Sequence, residues 1–161
     1  MTRELIGFLA ISLVAVIAVS VWLRTKKKRR IQEQSISTPL PATSQGDFSA
    51  LYVSTVFEQA RLDRIWAHGL GMRGNAKLAV DSSGVSVVRA GEESFLIPRS
   101  DLRLIEAATA TIDKAVEKSG LTAIHWSLGE TRVITHFRFT QPQERKEVEE
   151  KILQLIGEQI G

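Results

Sequence analysis

Leu5 to Leu23 is an unbroken run of nineteen uncharged residues, and Arg24-Thr25-Lys26-Lys27-Lys28-Arg29-Arg30 follows it directly, placing six cations in seven positions. As a helix rising about 1.5 Å per residue, the run spans roughly 28 Å, close to a hydrocarbon core about 30 Å thick. Cationic residues collect on the cytoplasmic side of a membrane span. The pair predicts a transmembrane helix over 5–23 and a basic cytoplasmic flank over 24–30, with the N-terminus outside and all that follows inside the cell membrane. Ser12 and Ser20 are the only polar side chains in the run, so one such helix forms no transport pathway alone.

A cleaved signal peptide is the competing reading, with Ala18-Val19-Ser20 as its small-x-small site. The segment before the run holds only Arg3 and Glu4 besides the amino terminus, and cleavage there would require six cations to be translocated just past the cut. The run therefore reads as an uncleaved anchor.

The net charge of +3 suggests a nucleic-acid partner until the charge is located. Residues 1–30 hold seven of the 21 Lys and Arg and one of the 18 Asp and Glu, whereas residues 50–161 hold fourteen cations and fifteen anions. The basic character belongs to the anchor flank, and the nucleic-acid reading loses its support. The absence of cysteine excludes disulfides, thiolate zinc sites and a cysteine nucleophile. The cations Arg24, Lys26, Lys27, Lys28, Arg29 and Arg30 read first as a stop-transfer cluster and second as a patch that gathers anionic lipid. Residues 31–49 (IQEQSISTPLPATSQGDFS) are rich in Ser, Thr, Gln and Pro and predict a flexible linker.

Beyond the linker, strand signals dominate residues 50–161. Leu51 to Val56 is β-branched and aromatic. Lys77–Val80 and Val85–Val88 flank the turn signal Asp81-Ser82-Ser83-Gly84, and Phe95–Ile97 ends at Pro98. A two-residue loop at Gly129-Glu130 would pair 128 with 131, 126 with 133 and 124 with 135. One face of that hairpin then carries Ile124, Trp126, Leu128, Val133, Phe137 and Phe139, the expected core. The other carries His125, Ser127, Arg132, His136 and Arg138, with Ile134 as an exception. From Pro142 the period changes: Val148, Ile152, Leu155 and Ile156 mark one face of an amphipathic helix. Residues 101–118 fit either a strand over Leu102 and Leu104 or a helix capped by Ser100 and stopped by Gly120. Many short strands closed by one helix predict a mainly-β fold, a partly open orthogonal barrel of about seven strands capped by a C-terminal helix.

Several stretches carry a resemblance: Tyr52–Val56, Arg64-Ile65-Trp66-Ala67-His68-Gly69-Leu70-Gly71-Met72-Arg73-Gly74, Val85–Ala90, Ile97–Leu102 and Gly120–Trp126. In these the cytoplasmic part resembles the bacterial PH-like domain. The whole chain is similar to a family of small actinobacterial single-pass membrane proteins with such a domain, often loosely labelled transporter or export proteins. The resemblance implies a strand over 101–107, a loop or short helix over 108–120, and a binding module rather than an enzyme. It also brings an association with pyrimidine-biosynthesis gene clusters, and so a hint of enzymes of that pathway as partners.

Gly69-Leu70-Gly71-Met72-Arg73-Gly74 matches G-x-G-x-x-G, but it leads into a strand where a dinucleotide fingerprint needs a helix. It reads as a loop requiring positive φ and close backbone approach. The cations around it, Arg61, Arg64, His68, Arg73 and Lys77, form the candidate lipid or partner loop; the loop between the first strands of eukaryotic PH domains, which grips phosphoinositides, allows that role by resemblance. His125 and His136 share an outer face that no Asp or Glu is expected to join, so they read as solvated or interface residues and not as metal ligands. No nucleophile motif or paired carboxylate stands out, and no catalytic residue or cofactor is assigned. The expected function is a membrane-anchored adaptor or scaffold that recruits a protein partner, with an anionic-lipid-binding module and an accessory transporter subunit as alternatives.

Overall fold

The computed structural model describes residues 2–107 and 121–160. Helix α1 (Thr2–Ser35) is the longest element and contains the apolar run, one helix long and apolar enough to cross a membrane. The strands follow: β1 (Leu40–Pro41), β2 (Phe48–Phe57), β3 (Gly74–Asp81), β4 (Gly84–Arg89), β5 (Phe95–Pro98), β6 (Leu102–Ala107), β7 (Leu121–Leu128) and β8 (Thr131–Phe139). Helix α2 (Pro142–Ile160) closes the chain. The eight strands form one antiparallel sheet in the order β1-β5-β4-β3-β2-β8-β7-β6.

Strand β2 turns this sheet into a partly open barrel. Its first half, Phe48 to Tyr52, pairs with β3, and it pairs with β8 from Ala50 to Phe57. The register shifts between Tyr52 and Ser54, a bulge that bends the strand where it passes from one half of the sheet to the other. The strand count exceeds the expected seven by the two-residue β1, too short to register in the sequence pattern.

Turn chemistry sets the registers. At the β3–β4 hairpin Asp81 pairs with Gly84, and the Ser83 N–H donates to Asp81 Oδ1 at 2.8 Å. The β7–β8 hairpin has the expected register, Leu128 with Thr131, Trp126 with Val133 and Ile124 with Thr135, and Gly129 supplies a φ of 60°. All six residues of its apolar face are buried. Tyr52 meets Phe137 and Phe95 edge-on at 5.7 and 6.2 Å, and Phe95 stacks on Trp126 at 6.0 Å. Val148, Ile152 and Leu155 of α2 are buried in the same core, each contributing about 1.5–3 kcal/mol by burial.

The expected ambiguity at 101–118 resolves in part. Arg99–Asp101 is a 3-10 turn and 102–107 is strand β6, paired with β7; residues 108–120 lie outside the described residues. The stretch 31–49, expected to be a flexible linker, is instead shaped by the domain. Helix α1 continues through it to Ser35, β1 pairs with β5, and Gln32 and Ile36 are buried. The Ser44 hydroxyl donates to Asp81 Oδ2 at 2.5 Å, and the Thr43 and Ser44 N–H groups donate to Ser86 Oγ at 3.2 and 3.3 Å. Polar side chains with specific acceptors order this segment, where an apolar count predicts nothing to bury.

Candidate functional site

The glycine-containing loop between β2 and β3 packs against the end of α1. Lys28, Gln32 and Ile36 recur every four residues and so share one helix face. Lys28 Nζ lies 3.4 Å from Asp63 Oδ1. Gln32 Oε1 accepts the Trp66 N–H at 2.6 Å, and its Nε2 donates to the Arg64 carbonyl at 3.4 Å. His68 Nε2 donates to the Ile36 carbonyl at 3.2 Å. Ascending the helix by two turns therefore ascends the loop from 63 to 68, and the two run side by side.

The loop is held in that shape from beneath. His68 and Gly69 both have positive φ, 54° and 68°. The buried Arg89 guanidinium donates to the Gly69 carbonyl at 2.8 Å, the His68 carbonyl at 3.4 Å and the Glu93 carbonyl at 2.6 and 2.9 Å. It also lies 4.9 Å from the Tyr52 ring centroid and 5.3 Å from that of Phe95. Burial lowers the Arg89 pKa from a very high starting value, with opposing help from neighbouring Glu92 and Glu93.

A buried chain of hydroxyls reaches the same loop through the core. Trp126 Nε1 lies 2.9 Å from Thr135 Oγ1, which lies 2.8 Å from Thr55 Oγ1; that atom lies 2.6 Å from the Tyr52 hydroxyl, itself 2.6 Å from the Leu70 carbonyl. The indole only donates and the carbonyl only accepts, so every hydroxyl between them donates once, each toward Leu70. Burial raises the Tyr52 phenol above its ordinary range, which keeps it the donor this chain requires.

Of the sequence-predicted loop residues, His68 is the one the structure engages, and with α1 rather than a ligand. Arg61 and Arg64 are exposed on the stretch 58–64, Arg73 is exposed before β3 and Lys77 is exposed on β3. Among the described residues, no ion pair engages these four side chains. In the flank, Lys28 pairs with Asp63 and Arg29 with Glu33 at 2.8 Å, while Lys26 Nζ sits 3.9 Å from the Trp22 ring centroid.

The outer face of β7 and β8 departs from expectation. His125 is buried, and two carboxylates do join it. Glu58 Oε1 lies 2.9 Å from Nδ1, while Glu106 Oε2 lies 3.4 Å from Nε2, within ion-pair distance but outside hydrogen-bond geometry. Glu58 also accepts from Arg103 Nη1 at 2.9 Å. Hydrogen bonds from His125 and Arg103 hold the Glu58 carboxyl below its ordinary range. Glu58 stands 67 residues from His125 in sequence and arrives only when the chain leaving β2 folds over β7, so local patterning carried no signal for it. Burial, with His125 nearby, lowers the His136 pKa. Among the described residues no group of three or more His, Asp or Glu side chains is arranged to hold a metal. A half-open depression of about 420 Å³, lined by Phe57, Gln59, Ala60, Glu130, Thr131 and Arg132, lies at the far end of β2.

A family model described as bacterial PH domain-like matches residues 34–153. No curated protein matches the chain. The matched stretch begins on the last turn of α1, so it takes in the segment that sequence composition assigned to a linker.

Proposed function

The chain belongs to the bacterial PH domain-like family, and on that premise we propose that it is a membrane-anchored binding module that recruits a protein partner at the cytoplasmic face of the cell membrane. PH-like domains are generally non-catalytic binding modules. The observation that carries the proposal is the junction at Gln32 and Ile36, where the apolar helix runs without a break into contact with the domain. A module joined in this way is held at a set height and orientation, so what it binds must come to the bilayer. The six cations of 24–30 support the cytoplasmic placement through the positive-inside tendency.

Two measurements test this. Protease added outside intact spheroplasts should leave residues 31–161 undigested; digestion overturns the orientation. Cross-linking in intact membranes should yield a discrete protein adduct of the full chain that disappears when the domain is released from α1 by cleavage in the flank. An adduct pattern matching that of an unrelated single-pass protein overturns the recruiting role.

A further inference from the structure

Alternation along β3, β4 and β5 sends Ala76, Leu78, Val85, Val87, Phe95 and Ile97 into the core and their neighbours to the outer face. Ala79, Ser86 and Leu96 are paired on that outer face, in one row across the three strands. An outer row ordinarily meets water, yet these three are 5 %, 0 % and 6 % exposed. Segment 37–47, between α1 and β2, runs along and over the row. Leu40 and Pro41 pair with Leu96 and Phe95 at the β5 edge. The Thr43 and Ser44 N–H groups then converge on Ser86 Oγ at 3.2 and 3.3 Å, and the Ser44 hydroxyl donates to Asp81 Oδ2. Gly46 lies so close to β3 that a Cβ there would collide with the Lys77 backbone, and the Asp47 N–H donates to the Leu78 carbonyl at 2.9 Å.

The two sides of this contact are unequal. The seat is buried, but no residue of 37–47 is, although Ile36 and Phe48 at its two ends are. Between fixed ends the segment is held by hydrogen bonds, each shifting its opening equilibrium by roughly five-fold. Most of them read backbone. Ser86 Oγ takes two successive N–H groups, the Leu78 carbonyl takes a third, and β5 pairs through its main chain. The side-chain demands are few: a hydroxyl for Asp81, whose carboxyl Ser44 and Ser83 hold below its ordinary range, and no bulk where Gly46 sits. A seat of that kind suits an extended segment that adds to a sheet edge.

We propose that the row of Ala79, Ser86 and Leu96, with the β5 edge, is a peptide-binding groove that the chain's own segment 37–47 fills in cis, and that an extended, small-residue segment of a partner protein takes in its place. This role rests on the reading of the chain as a module that recruits a protein, and it adds where and in what form the partner binds. Segment 37–47 then acts as a tethered competitor. Its short connection holds it at an effective concentration on the order of millimolar, so the groove yields to a partner concentrated at the same membrane.

A fluorescent peptide of residues 37–47 is the probe, added to the full-length chain in nanodiscs. Ser44→Pro removes from the tethered segment one N–H to Ser86 and the hydroxyl to Asp81, and leaves the groove intact. The Ser44→Pro chain should bind the peptide at least ten-fold more tightly than the unsubstituted chain, and adding Ser86→Ala should weaken that binding several-fold. Amide exchange across 39–47 should rise at least ten-fold in Ser44→Pro, with the Trp126 amide unchanged as the sign of an intact core. Equal peptide binding by the two chains overturns the groove. The chain has no cysteine, so Leu40→Cys with Leu96→Cys, cross-strand partners, forms one disulfide that locks the segment down. Cross-linking in isolated membranes should then give the partner adduct with the reduced chain and not with the oxidised one. An adduct that survives the lock overturns the groove and leaves recruitment standing. No adduct from the reduced, oxidised or unsubstituted chain overturns recruitment, and the groove as a partner's seat with it.

Discussion

Gln32 Oε1 accepts the Trp66 backbone N–H at 2.6 Å, and this bond, with the Ile36 side chain buried one turn later, joins the long apolar N-terminal helix to the β domain. Neither residue carries charge or belongs to a long apolar pattern. The loop they meet is held from the opposite side by Arg89 and by the Tyr52 hydroxyl. The G-x-G-x-x-G stretch runs into strand β3, not a helix; its Gly69 carbonyl accepts from Arg89, and residues 64–68 just before it meet a helix of the same chain.

Replacing Gln32 by Ala should leave the strands intact and loosen this junction. A hydrogen bond of this kind contributes about 1 kcal/mol, or roughly five-fold in an opening equilibrium. The Trp66 amide should exchange about that much faster in Gln32→Ala, with little change at Trp126. Equal rates at Trp66 in the two proteins would show that the helix end does not hold the loop.

Stability should fall in acid in two steps of the same sign. Glu58 and His136 both titrate lower in the folded chain than in the unfolded one, so the unfolded chain binds more protons and stability rises with pH. The His136 contribution is lost as pH falls below its ordinary value of 6.5 toward its folded value, and that of Glu58 as pH falls below 4.5. Thermal melts of the full chain in detergent should show His136→Gln flattening the upper step and Glu58→Gln the lower one. At neutral pH, Glu58→Gln should cost about 1 kcal/mol, the upper range for a partly exposed pair. A pH profile unchanged by either substitution would contradict this assignment.

The elements that were legible in the sequence are those set by short-range period. The β7–β8 hairpin followed from alternation around Gly129-Glu130, and α2 from the spacing of Val148, Ile152 and Leu155. The apolar run and the mainly-β fold were legible for the same reason. What stayed hidden depends on pairs distant in sequence. Gln32 and Ile36 become meaningful only beside Trp66 and His68, Ser44 only beside Asp81, and His125 only when Glu58 is laid over it. A polar stretch such as 31–49 looks like a tether because its contacts are single hydrogen bonds, which leave no periodic mark.

Gly84 and Gly91 offer a controlled comparison in the domain. Both have positive φ, 139° and 79°. A Cβ at Gly84 would meet the Ile97 carbonyl oxygen and the Arg99 nitrogen, whereas one at Gly91 would meet nothing within 4 Å. Gly91→Ala should cost about 1–2 kcal/mol from backbone strain alone. Gly84→Ala should cost more, because β4 and β5 must separate to admit the methyl group. Denaturant titration gives both values, and equal costs would mean that the β4–β5 approach is softer than its hydrogen bonding implies.

Thr135→Val is the sharpest test of the buried hydroxyl chain, since it keeps the shape of the side chain and removes one link. The Trp126 indole N–H would lose its acceptor and Thr55 would lose its donor, both inside the core. An unsatisfied buried donor costs about 1–3 kcal/mol, so Thr135→Val should lower stability by that amount. Tyr52→Phe cuts the chain at its other end, where the Leu70 carbonyl still accepts the Thr55 N–H at 2.9 Å. The buried Thr55 hydroxyl then loses its acceptor, so the cost should be of similar size, and the double substitution should cost less than the two single losses together, because both belong to one connected network. Strictly additive losses would show that the four side chains act as separate pairs and that the core does not transmit order from β7 to the loop beneath α1.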